Sequence, residues 1–167
     1  TETVALLVRE HMFVYDPEAV TLAGVRRLIA RVGKTNVDAL LKLREADRIG
    51  SGVPKAQPYR LRYLRAMIEK VEQDPIGPKM LKATGEDVMH VLKMPPGPRI
   101  GKILAVLLEE VLEDPKQNTK KMLEERIKNL GEMTDKELES LAQKAKESAA
   151  KAQSRIDEEI KKKYFVQ

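Results

Sequence analysis

Two side chains in this sequence are placed to do chemistry, His11 and Asp47. His11 shares a helical stripe with Val4, Leu7, Val8, Met12 and Tyr15, and Asp47 falls on the same side of its segment as Leu40 and Leu43. A carboxylate among apolar residues needs something that neutralises it. Neutral imidazole and carboxylate are ordinary ligands for a divalent metal such as Mg, Mn or Ni, although a catalytic site needs more than two protein ligands. A buried histidine hydrogen-bonded to a buried aspartate explains the same pattern without a metal. The other histidine, His90, reads as a partly exposed surface residue ahead of a proline turn. Walker-type phosphate loops, a serine nucleophile elbow and a zinc-binding helix are absent from the sequence. Glu45 and Asp47 would point to different sides of a helix, so no catalytic residue is assigned.

The cations form three groups: Arg26, Arg27 and Arg31; Arg60, Arg62 and Arg65, interleaved with Tyr59 and Tyr63; and Arg99 with Lys102. The last pair follows Pro95-Pro96-Gly97-Pro98, a stiff turn opening a helix whose N–H groups could join both side chains in holding phosphate. If the groups share a face they make an RNA footprint; otherwise they are scattered surface charge. With 31 Lys and Arg against 26 Asp and Glu the net charge is +5, a mild bias compatible with nucleic acid but not diagnostic of it.

The elements that must position these residues are helical. Apolar residues recur at three-four spacing throughout, and no alternating stretch is long enough for a strand, so the fold class is all-α. The organising stretch is Leu92–Pro115, where Ile100, Ile103, Leu104, Leu107, Leu108, Val111 and Leu112 make one face of a helix. Pro98 suits its first turn and Pro115 forbids its continuation. With the short helix before it, capped by Thr84-Gly85-Glu86-Asp87, it forms a helix–turn–helix hairpin. Upstream, a first helix reaches Tyr15, a second runs from Thr21 to a stop at Gly33, and a third is capped by Thr35 or Asn36. The second carries its arginines on the side away from the core.

Gly50-Ser51-Gly52-Val53-Pro54 breaks the chain, and Pro58 opens a helix with Leu61, Leu64, Ile68 and Val71 inward. Asn118 or Thr119 caps a helix through Leu130, and Thr134-x-x-Glu137 starts a long charged helix. We therefore expect regions 1–52, 53–131 and 132–167, the last able to pair with a partner or a second copy. The core is aliphatic, with 42% hydrophobic but 4% aromatic residues. The absence of cysteine fits a reducing cytoplasm. No apolar run reaches the ~18 residues of a membrane span, and the N-terminus does not read as a signal peptide. The chain opens at Thr1 inside a helical pattern, which leads us to expect a fragment.

Several ordered motifs carry a resemblance. His11-Met12-Phe13-x-Tyr15-Asp16-Pro17, Val25-Arg26-Arg27-Leu28-Ile29-x-Arg31-Val32-Gly33 and Leu43-Arg44-Glu45-Ala46-Asp47-Arg48 are similar to the bacterial tRNA nucleotidyltransferase (CCA-adding) and poly(A) polymerase family. So are Met94-Pro95-Pro96-Gly97-Pro98-Arg99-Ile100-Gly101-Lys102-Ile103-Leu104 and Val111-Leu112-Glu113-Asp114-Pro115-x-x-Asn118-Thr119, which look like that family's tRNA-handling region. The resemblance covers roughly residues 1–130 and does not reach the tail from 132 onward. In many members a nucleotidyl-transferring head is followed by an HD-type phosphohydrolase domain. The resemblance implies that His11 and Asp47 are the late metal-site residues of such a domain, here without its His-Asp doublet. It implies too that this piece lacks the head's paired carboxylates, and that it holds tRNA or another structured RNA for a head domain. A metal-dependent phosphohydrolase remnant and a helical interaction module are the alternatives.

Overall fold

The computed structural model describes residues 2–13, 16–17, 19–52 and 59–144, and among these every regular element is helical. They fall into two compact units, one ending at Gln73 and one beginning at Asp74. The chain therefore divides at Asp74-Pro75-Ile76-Gly77-Pro78, not after residue 52 as expected. The helix after the glycine break belongs with the first unit because it packs on an earlier helix there.

The first unit holds α1 (Glu2–Glu10), α2 (Leu22–Val32), α3 (Val37–Gly50) and α4 (Tyr59–Lys70). Thr21 caps α2 by accepting from the Gly24 N–H at 3.0 Å, which satisfies one of the donors a helix start leaves open. Gly33 ends it at φ 85°, a left-handed value that a side chain would strain, and its N–H bonds the Ile29 carbonyl. A 3-10 turn, Lys34–Asn36, leads into α3, and neither expected residue caps α3 with a side-chain bond. The Asn36 amide instead donates to the Val32 carbonyl at 2.9 Å, and the Lys34 ammonium to the Glu72 carbonyl at 2.9 Å. α2 and α4 pack together, burying Val25, Leu28, Ile29 and Val32 on one and Leu61, Leu64 and Met67 on the other.

α1 departs from expectation. It ends at Glu10 and buries no residue, so Val4, Val8 and Met12 are 57%, 55% and 64% exposed instead of facing a core. The His11 ring supplies a local reason for the stop. Its Nδ1 lies 2.5 Å from the Val8 carbonyl, and because a carbonyl only accepts, Nδ1 carries the proton. The ring thereby occupies the acceptor that the next backbone N–H would have used.

The second unit contains α5 (Gly85–Leu92), α6 (Pro98–Glu113), α7 (Lys120–Gly131) and a helix over 135–144. The α5 cap is the reciprocal box expected at Thr84, with Asp87 answering from the third position. Thr119, not Asn118, caps α7, accepting from the Met122 N–H at 3.3 Å. Thr134 and Glu137 make a second box: Thr134 N–H donates to Glu137 at 2.8 Å, and Glu137 N–H to Thr134 Oγ1 at 3.3 Å. α5 packs on both α6 and α7, and α6 on α7.

Around α6 the core is wholly aliphatic: Ile103, Val106, Leu107 and Val111 meet Val88, Leu123, Ile127, Leu130 and Leu138. Each fully buried leucine or isoleucine contributes about 1.5–3 kcal/mol of transfer free energy, so this cluster dominates the unit's stability. Arg126 closes α7 onto α6 with a two-pronged grip on Glu110, Nε at 3.0 Å and Nη2 at 2.6 Å. That bond holds the Arg126 guanidinium charged more firmly than usual. The long helix expected over 132–167 is present through 144; its remainder, and the pairing role expected for it, lie outside the described residues.

Candidate nucleic-acid interface

Asp47 is not buried. Its side chain is 39% exposed, and its carboxylate accepts from Arg44 Nη1 at 3.0 Å, one helical turn earlier on α3. The same nitrogen lies 3.2 Å from the Met12 sulfur. The charge on Asp47 is thus balanced by a guanidinium, and the residue after His11 touches that guanidinium. Among the described residues no group of three or more His, Cys, Asp or Glu side chains could hold a metal ion. His11 and Asp47 do not complete such a site by themselves.

The expected cations fare differently from one another. Arg26 is 6% exposed, so it sits inside the first unit and not on an outward face. Arg31 Nε pairs with Glu10 at 3.2 Å, tying α2 to α1, while Arg27 is half-buried. On α4, Arg60 pairs with Asp16 at 3.1 Å and Arg65 with Glu45 at 2.9 Å. Arg62 is exposed and has no acidic partner among the described residues. Both acids are mostly enclosed, Glu10 at 18% and Asp16 at 17% side-chain exposure, while Arg31 and Arg60 are 43% and 39% exposed.

Arg99 does not point outward from the start of α6. Its Nη2 donates to the carbonyls of Gly131 and Met133, at 3.1 and 2.5 Å, and its Nη1 meets Asp135. Gly131 ends α7, so Arg99 serves the open carbonyls of a helix C-terminus and fixes the turn into 135–144. With all three acceptors on the chain and its side chain only 22% exposed, it is a structural cation. Lys102 pairs with Glu139 at 3.3 Å across a far more open gap and stays reachable.

A second set of cations escaped the sequence reading. Asn118 is 9% exposed and bridges two loops, its Oδ1 accepting from the Lys82 N–H at 2.9 Å and its Nδ2 donating to the Met80 carbonyl at 2.9 Å. The 3-10 turns Pro78–Met80 and Pro115–Gln117 both pack on α6 and are joined through this amide. Lys79, Lys82 and Lys116 are exposed on the joined loops, without an acidic partner among the described residues. The neighbouring Lys120 binds Asp87, which together with the Thr84 N–H holds that carboxyl down to about 2. The sequence signal was a repeated Pro-Lys at positions 78–79 and 115–116, visible but not interpretable before the loops were known to meet.

No solved structure is significantly similar to this chain. An A-adding tRNA nucleotidyltransferase of Deinococcus radiodurans is 34% identical over 109 residues, an alignment covering 63% of this chain and 24% of that protein. The chain thus matches about a quarter of that relative's length. A family model described as tRNA nucleotidyltransferase domain 2, putative, matches residues 33–127, the span from the stop of α2 into α7. The chain belongs to that tRNA nucleotidyltransferase domain 2 family.

Proposed function

We propose that this chain holds tRNA, or a similarly structured RNA, in the cytoplasm while a nucleotidyl-transferring head domain adds nucleotides to its 3′ end. Family membership over residues 33–127 is the observation that carries the reading. The net charge of +5 supports it, as do the exposed or partly exposed cations Arg31, Arg60, Arg62 and Lys102. The chemistry of the hold is electrostatic. Guanidinium and ammonium groups contact phosphate and sugar, fixing the register of the RNA while reading shape more than sequence.

The test is a tRNA titration of the purified chain at ~50 mM salt, where phosphate contacts are strong. Binding that weakens as salt rises is expected. Binding no better than that of a neutral control protein refutes the reading. Replacing Arg60, Arg62 and Arg65 together by alanine is expected to make the log–log salt dependence shallower, chiefly through Arg62, whose guanidinium has no acidic partner among the described residues.

A further inference from the structure

We propose that Lys79, Lys82 and Lys116 form a phosphodiester-binding patch, a built contact for the RNA backbone that Asn118 holds in place. This rests on the tRNA-holding reading and assigns part of its footprint to residues outside the arginine groups. Asn118 joins the loops that carry the three lysines, bonding both Met80 and Lys82 from 36 to 38 residues away. The turns that carry Lys79 and Lys116 both pack on α6, and Lys82 follows the first of them, bonded to Asn118 through its own N–H.

The nearby carboxylates are already engaged. Asp114 accepts from the Lys116 N–H at 3.1 Å, and Asp87 is taken by Lys120 and the Thr84 cap. Lys79, Lys82 and Lys116 themselves make no ion pair among the described residues.

The kind of ligand follows from what the patch has and lacks. Lysine is a compact point charge suited to phosphate, without the planar fork that reads base edges. Residues 74–144 contain no Phe, Tyr or Trp, so this unit lacks the large aromatic platforms on which bases most often stack. What remains is contact with the charged backbone, indifferent to base identity.

The experiment uses the full chain and fluorescently labelled tRNA, with anisotropy titrations from ~50 to ~200 mM salt. Wild type is compared with Lys79→Ala/Lys82→Ala/Lys116→Ala and with the corresponding triple arginine variant; far-UV circular dichroism checks the fold. All three positions are exposed, so folding is expected to be unchanged. Each backbone contact adds ~0.7–0.9 to the log–log salt slope, so the triple alanine slope should be shallower by about 2–3, with the arginine variant keeping the wild-type slope. A triple alanine protein that binds with the wild-type slope overturns the patch and leaves tRNA holding intact. A wild-type chain that does not bind tRNA overturns both. Displacement of tRNA by polyglutamate at matched charge as readily as by unlabelled RNA overturns the RNA assignment in favour of an acidic protein partner.

Discussion

Gly131 ends α7 where that helix passes the end of α5, and the closeness of the approach makes a sharp prediction. A Cβ at this position would sit 3.2 Å from Leu92 Cγ and 3.1 Å from its Cδ1, with the other methyl nearer still. Gly131→Ala therefore sets two opposing effects against each other. Alanine in a helix is favoured over glycine by up to about 1 kcal/mol, and less in a last turn. Forcing a methyl into occupied space costs about 1–3 kcal/mol, and here the branch point of Leu92, not only its flexible end, must yield. The clash wins, and the expected net destabilisation is about 1 kcal/mol.

Leu92→Ala removes the obstructing atoms. In that background the clash vanishes and Gly131→Ala should become mildly stabilising, by a few tenths to about 1 kcal/mol. The assay is a double-mutant cycle by urea unfolding followed by far-UV circular dichroism, with the coupling read as the difference between the two backgrounds. The reasoning is refuted if Gly131→Ala shifts stability by the same amount and sign whether residue 92 is leucine or alanine.

Other outcomes follow from the same unit. Asn118→Ala should cost about 1 kcal/mol in urea unfolding, because it removes the partner of two part-buried groups, the Lys82 N–H and the Met80 carbonyl. Arg99→Ala should cost about 1–3 kcal/mol in the same assay, and Arg99→Lys should recover little of it, since a point charge cannot reach Gly131, Met133 and Asp135 together. The Asp87 carboxyl titrates near 2 in the folded chain against 3.8 ordinarily, so its contribution is fully present above about pH 4 and is lost as pH falls toward 2. Thermal melts across that window should therefore show a shallower acid loss for Asp87→Asn than for wild type, and equal slopes would remove the Asp87–Lys120 contact from the account.

Local chemistry was legible in the sequence wherever one residue decides the backbone. Thr21, Gly33, Pro98, Thr84 with Asp87, and Thr134 with Glu137 each start or stop a helix where their side chains dictate. What periodicity could not supply was the partner of each face. The Val4–Val8–Met12 stripe looks like a core face, yet α1 buries none of it, and the stop that shortens the helix comes from a ring bonded three residues back. Arg99 was legible as a cation at a helix start, but its destination, the carbonyls of a helix about thirty residues later, depends on tertiary packing. Asn118 reads as one of two candidate caps, but Thr119 caps α7 and the Asn118 amide bonds 36 to 38 residues upstream.

The wholly aliphatic core of the second unit makes it dark to ultraviolet light. Tyr59 and Tyr63, stacked obliquely on α4 with ring centroids 6.4 Å apart, belong to the first unit, and the chain contains no tryptophan. With Tyr164, which lies outside the described residues, replaced by Phe, tyrosine emission follows Tyr15, Tyr59 and Tyr63 and remains blind to 74–144, whereas helical circular dichroism weighs both. Coincident melts by the two signals would mean that the units unfold as one cooperative block, and separated melts that they unfold one after the other. The dark unit is correspondingly rich in isoleucine, leucine and valine methyls, which makes methyl resonances the natural way to watch it respond to RNA.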